Sequence, residues 1–213
     1  MKKQKTQILL IHGGMTFKNK KDYMHYLKTR TISIEKKPYW SEEYFDKTLG
    51  KQYQIIRPRM PNKEDAKYKE WKINFEKHFP HLKNNIVLIG VSLGGIFLAK
   101  YLSEHKFPKK ILSTYLVAPP FDNTLSSSGE YLAGGFKLGK NLALIEKQSK
   151  HVHLLFSKND DCVPPSHAEK YRKKLKNAHI VIYPHIKGHF RVSRFPELVK
   201  MIREDVQGKK YEV

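Results

Sequence analysis

Short apolar runs rich in β-branched residues alternate with helical patterns along this chain, and that alternation constrains its fold more than any other feature. Residues 8–11, 53–57, 86–89, 111–118, 151–156 and 179–183 read as strands, and residues 63–78, 95–105, 166–175 and 196–205 as helices. Parallel neighbours need a crossover long enough to carry the chain back, and the helices supply it. The expected architecture is α/β, a mostly parallel sheet of about six strands with helices on both faces and right-handed crossovers. Functional residues should then gather at the carboxyl ends of the strands. The length of 213 residues suits a single domain, 1–213. Two stretches exceed a minimal connection: 15–51, which holds Tyr23, Tyr26, Tyr39, Trp40, Tyr44 and Phe45, and 121–150, which opens Ser-rich and ends helical. Each is either a lid or pocket wall, or a packing helix with a surface loop.

Composition excludes several classes. An apolar content of 39% is too high for a disordered chain. The apolar run at 8–11, behind Met1 and a few polar residues, is too short for a secretory signal core or a membrane span. A single cysteine, Cys162, allows no internal disulfide, so a cytoplasmic location is expected. The formal charge of +21, from 41 basic and 20 acidic residues, raises nucleic acid as a partner. Most of the basic residues are Lys, scattered in small groups such as Lys36-Lys37, Lys173-Lys174 and Lys209-Lys210, whereas bidentate phosphate recognition favours Arg. A solvated surface accounts for them, and no specific nucleic-acid partner is expected.

The chemistry concentrates in Gly90-Val91-Ser92-Leu93-Gly94. This G-x-S-x-G pentapeptide follows the apolar run 86–89 directly and leads into the helical pattern 95–105. A sharp strand-to-helix turn of this kind lifts a serine hydroxyl above a sheet, and small residues flank it because backbone crowds both sides. A serine hydroxyl is a poor nucleophile unless a neighbouring base takes its proton and an acid orients that base. Both partners follow in the order Ser, acid, His. Asp160 and Asp161 lie just past the fifth strand, and His189 lies in the loop after the sixth, with His185 as its rival. A developing oxyanion needs two N–H donors: Leu93 supplies one, and the loop His12-Gly13-Gly14-Met15 the other, through Gly14 or Met15. His12 reads as a structural hydrogen-bonding residue. No P-loop or dinucleotide fingerprint occurs, and no histidine set has three ligands at metal-site spacing, so neither cofactor nor metal is expected.

The chain resembles the small serine hydrolases typified by retinoblastoma-binding protein nine and the bacterial YdeN-like proteins. Arg59-Met60-Pro61-Asn62, Trp71, the serine turn, Asp160 to Pro164 and Gly188-His189-Phe190 carry the resemblance over nearly the whole length. It implies an α/β-hydrolase fold and a Ser92, Asp160, His189 triad. The acid in related hydrolases commonly stands three residues before the Val of the Val-Pro pair, which selects Asp160 over Asp161. The residue before the serine is often His in this group, and here it is Val91. The implied activity is hydrolysis of a small carboxylic ester, amide or thioester through an acyl-enzyme. The alternative is a catalytically weak protein-binding module on the same fold, since members of the family are also linked to protein partners.

Overall fold

The structure is a computed structural model that describes residues 5–35, 37–126 and 131–209. Lys36, Lys210 and the Ser-rich positions 127–130 that the sequence flags lie outside the described residues. Six strands form one sheet in the order β2-β1-β3-β4-β5-β6, and every pairing is parallel. They are β1 (Thr6–Ile11), β2 (Tyr53–Ile56), β3 (Ile86–Val91), β4 (Ile111–Val117), β5 (Ser149–Asn159) and β6 (His179–Lys187). Seven helices connect or flank them among the described residues: α1 (Lys20–Thr29), α2 (Glu43–Leu49), α3 (Tyr68–Glu76), α4 (Leu93–Glu104), α5 (Ala143–Gln148), α6 (Ser166–Arg172) and α7 (Pro196–Gln207).

The central strands are apolar almost without interruption because helices cover both faces. Alternate residues of one strand enter opposite cores. Leu9, Ile11 and Leu88 join one cluster with Trp71 and Phe75 of α3, Ile96 of α4, Ile145 of α5 and Tyr171 of α6. Ile8, Leu10, Val87 and Ile89 join the other with Phe45 and Leu49 of α2 and Leu198 and Ile202 of α7. No helix among the described residues is long and apolar enough to cross a membrane.

The helix expected over 63–78 starts later, at Tyr68. The Ala66 N–H bonds the Met15 carbonyl at 2.9 Å, and the Tyr68 N–H bonds the Gly134 carbonyl at 2.8 Å. These long-range bonds hold the preceding residues as a loop under the β1 turn. The connection 15–51 contains α1 and α2. Helix α1 buries no residue, whereas α2 buries Phe45 and Leu49.

The chain reverses direction across the sheet between β1 and β3: β1 connects outward to β2, and β3 connects through α4 to β4 on the other side. Such a switch point opens a crevice at the carboxyl ends of the two strands. Those ends carry His12 to Met15 and Ser92.

At β4 and β5 a buried charge ties α7 to the sheet. The Asp205 carboxylate accepts the hydroxyls of Ser113 and Tyr115, each at 2.5 Å, and lies 3.1 Å from His153 Nε2. Burial alone would raise its pKa, but the bond and charge of His153 and the two hydroxyls outweigh burial and pull it down to about 2. A carboxylate depressed in the folded state stabilises above its unfolded value near 3.9, and that stabilisation disappears as pH falls toward 2. Thermal melts should therefore drop between about pH 4 and pH 2, and Asp205→Asn should lose roughly 2 kcal/mol at neutral pH and flatten that limb. An unchanged acid limb in the variant would remove Asp205 from the account.

Candidate active site

Ser92 stands alone between β3 and α4, with φ 54° and ψ −117°. A non-glycine residue holds this left-handed backbone only when its surroundings over-determine it. Here the Ser92 N–H donates to the Val117 carbonyl at 2.8 Å, and the Ser92 carbonyl accepts the N–H groups of Gly95 and Ile96. The two motif glycines are required by close backbone contact. A Cβ on Gly90 would sit 2.3 Å from the Gly94 carbonyl oxygen, and one on Gly94 would sit 2.4 Å from the Ile11 carbonyl oxygen.

Asp160 follows β5 immediately, and its carboxylate is fully buried. Oδ1 accepts the N–H groups of Cys162 at 2.9 Å and Val163 at 2.8 Å, so the turn itself fixes the side chain. Both carboxylate oxygens lie within 3.0 Å of His189 Nδ1. Asp161 points elsewhere: its carboxylate pairs with Arg191 at 2.6 Å, and both side chains are more than half exposed. The hydrogen bond from the Arg191 guanidinium lowers the Asp161 pKa against the opposing effect of burial. Thus the structure brings Asp160, not Asp161, to the histidine.

His189 sits in a tight turn after β6, where Gly188 and Phe190 both take positive φ, 55° and 51°. Phe190 is fully buried among Tyr183 and Phe195 and anchors the turn. With Nδ1–H donating to Asp160, Nε2 is the acceptor nitrogen. That atom is buried and has no hydrogen-bond partner among the described residues. His189 lines the same cleft as Ser92. An unpaired buried acceptor is costly, and such atoms concentrate at functional sites. His185 lies apart, exposed and bonded to Glu197 at 2.7 Å.

Of the oxyanion candidates, Leu93 opens α4, where a first-turn N–H has no intrahelical acceptor. Met15 is otherwise engaged, because its N–H donates to the Lys63 carbonyl at 2.7 Å. That leaves Gly14 on the β1 loop. A Cβ on Gly14 would meet the Lys63 carbonyl oxygen at 2.7 Å, the Leu93 side chain at 3.1 Å and Trp71 at 3.2 Å. His12 braces this loop: Nδ1 bonds the Gly13 carbonyl at 2.6 Å, and Nε2 accepts the Met60 N–H at 3.0 Å. Burial pushes its imidazole below the ordinary value, with Lys63 adding to the effect. The Trp71 indole packs edge-on against His12 and donates to the Pro61 carbonyl at 2.8 Å.

The cleft over Ser92 and His189 encloses about 510 Å³, with Tyr26, Tyr39, Ser41, Lys63 and Arg191 on its walls. A smaller hollow of about 40 Å³ opens on Ser92 and Leu93 and is walled by Leu125, Tyr131, Leu132 and Val163. Both long connections therefore contribute to the surroundings of Ser92. Arg191, Lys63 and Cys162 at the site escaped the sequence reading. Arg191 and Cys162 left a signal, in standing two residues past His189 and Asp160.

Residues 35–203 match the family model described as "Serine hydrolase". The chain belongs to that family. Solved structures agree on the fold. The ydeN gene product of B. subtilis superposes with a TM-score of 0.68 at 17% identity, covering 95% of this chain and 99% of that one. One of the metagenome-derived lipolytic enzymes LipS and LipT gives 0.59 at 13% identity, covering 96% and 93%. A lipase-esterase related protein of Clostridium acetobutylicum gives 0.55 at 14%, covering 99% and 96%. No curated protein sequence is a significant match. This serine hydrolase thus has the α/β-hydrolase fold that the resemblance implied, built on the parallel sheet expected of its strand and helix pattern.

Proposed function

We propose that this serine hydrolase cleaves small carboxylic esters through an acyl-enzyme, with Ser92 as nucleophile, His189 as general base and acid, and Asp160 as the orienting carboxylate. One observation carries the proposal: His189 Nδ1 is held by Asp160 within 3.0 Å while its Nε2 has no partner among the described residues, in a residue that lines one cleft with Ser92. Ser92 Oγ bonds to the acyl carbon as its proton passes to Nε2. The oxyanion is held by the N–H groups of Leu93 and Gly14. The carbonyl re-forms, the bond to the alcohol breaks, and the alcohol leaves with the proton from Nε2. Water then repeats the sequence on the acyl-serine and regenerates Ser92. The substrate is a small molecule entering the 510 Å³ cleft, and no step requires a cofactor. The single Cys162 suits a reducing cytoplasm.

A fluorophosphonate probe tests the assignment directly. It should label the protein once, with the adduct mapped by mass spectrometry to the peptide bearing Ser92. p-Nitrophenyl acetate should turn over, and the turnover should be lost on labelling. An adduct on another residue, or none, would overturn the proposal.

A further inference from the structure

Two hollows of unequal size and character meet at Ser92. The small one, about 40 Å³, is mostly apolar: Pro120, Leu125, Leu132 and Val163 wall it, and Ser92 and Leu93 form its mouth. The large one, about 510 Å³, carries His189 together with Tyr39, Ser41, Lys63 and Arg191. His189 does not border the small hollow.

The direction of proton transfer decides which part of a substrate lies where. The departing oxygen must take its proton from His189 Nε2, so the alcohol portion has to lie on the side where that nitrogen is. The carbonyl carbon sits over Ser92, and the acyl chain continues on the opposite side, into the small hollow. A site needs roughly 10–15 Å³ to hold one water-sized group, so the small hollow accepts about three such groups. From this geometry we infer that the enzyme is selective for short aliphatic acyl groups, acetyl to butyryl, carried on a larger polar alcohol. The inference rests on the serine-hydrolase assignment above. Two walls of the small hollow are fixed: Val163 and Leu132 are buried and belong to the core cluster that α4 also joins. The walls of the large cleft suit an alcohol with its own polar groups, since a phenol, a hydroxyl, an ammonium and a guanidinium line it.

The test keeps the leaving group constant and varies the acyl chain. With p-nitrophenyl acetate, butyrate and octanoate, kcat/KM of the unaltered enzyme should stay within about 10-fold from acetate to butyrate and fall by about 100-fold or more at octanoate, since methylenes that do not fit cost on the order of 10-fold or more. Leu125 is only half-buried, and Leu125→Ala removes three carbons from the wall with little harm to the core. That variant should raise the octanoate-to-butyrate ratio of kcat/KM by about 10-fold while its melting temperature stays close to that of the parent. Rates that stay flat or rise from butyrate to octanoate in an enzyme that still takes the fluorophosphonate on Ser92 would overturn the inference and leave the serine-hydrolase assignment standing. Absence of both turnover and labelling would overturn the two together.

Discussion

Ser92→Ala is expected to abolish fluorophosphonate labelling and to lower kcat on p-nitrophenyl acetate by on the order of 10⁶. In the proposed mechanism the hydroxyl oxygen forms the covalent bond, and alanine offers no nucleophile in its place. His189→Ala should cost about as much, because an unassisted serine hydroxyl is a weak nucleophile. The double variant should be no worse than either alone, since the two side chains act as one unit and residual rate comes from the N–H donors and substrate binding. The fold should survive each change. Ser92 contributes its backbone bonds to Val117, Gly95 and Ile96, and alanine keeps all of them. His189 gives up one bond to Asp160, while Phe190 still anchors the turn. Melting temperatures within a few degrees of the parent, with turnover gone, are the expected pair of results. Losses that multiply in the double variant would mean that serine and histidine act independently, and the triad would be wrong.

What could be read in the sequence was what local backbone geometry demands. Gly90 and Gly94 announce the serine turn because a Cβ at either would strike a carbonyl oxygen three or more positions away or on the neighbouring strand. The strands were legible because a sheet covered on both faces needs unbroken apolar runs, as in Ile86 to Ile89. His189 was legible because chain order and loop position left few rivals. Illegible features depend on pairings far apart in the chain. The choice between Gly14 and Met15 turns on a bond from Met15 N–H to the Lys63 carbonyl, and the late start of α3 turns on Ala66 and Tyr68 bonding Met15 and Gly134. No periodicity encodes such contacts. The walls around Ser92 come from 15–51 and 121–150 for the same reason: Tyr39 and Leu125 are placed by tertiary packing and carry no motif. Asp160 and Asp161 form an intermediate case. They are identical in chemistry and adjacent, and only the resemblance to related hydrolases separated them in the sequence.

The physical distinction between those two carboxylates makes Asp160→Asn the sharper experiment. Asp160 accepts three N–H groups: Cys162 and Val163 from the backbone and Nδ1 of His189. Asparagine has one acceptor oxygen and two N–H donors. If the oxygen keeps the backbone N–H groups of Cys162 and Val163, the amide NH₂ faces Nδ1. The imidazole then has to accept at Nδ1 and carry its proton on Nε2, which leaves nothing to receive the proton of Ser92. A loss of about 10⁴ in kcat follows, the cost of the wrong tautomer in other triads. Asp161→Asn removes one ion pair with Arg191 between side chains that are 58% and 61% exposed, an interaction worth roughly 0–1 kcal/mol. It leaves the bonds of Asp160 and His189 untouched, so kcat on p-nitrophenyl acetate should change by less than about 10-fold. Arg191 borders the cleft, so whatever change does occur should fall mainly on KM. Turnover of both variants, measured beside the parent at one pH, separates the two roles, and the reverse ranking would transfer the orienting carboxylate to Asp161.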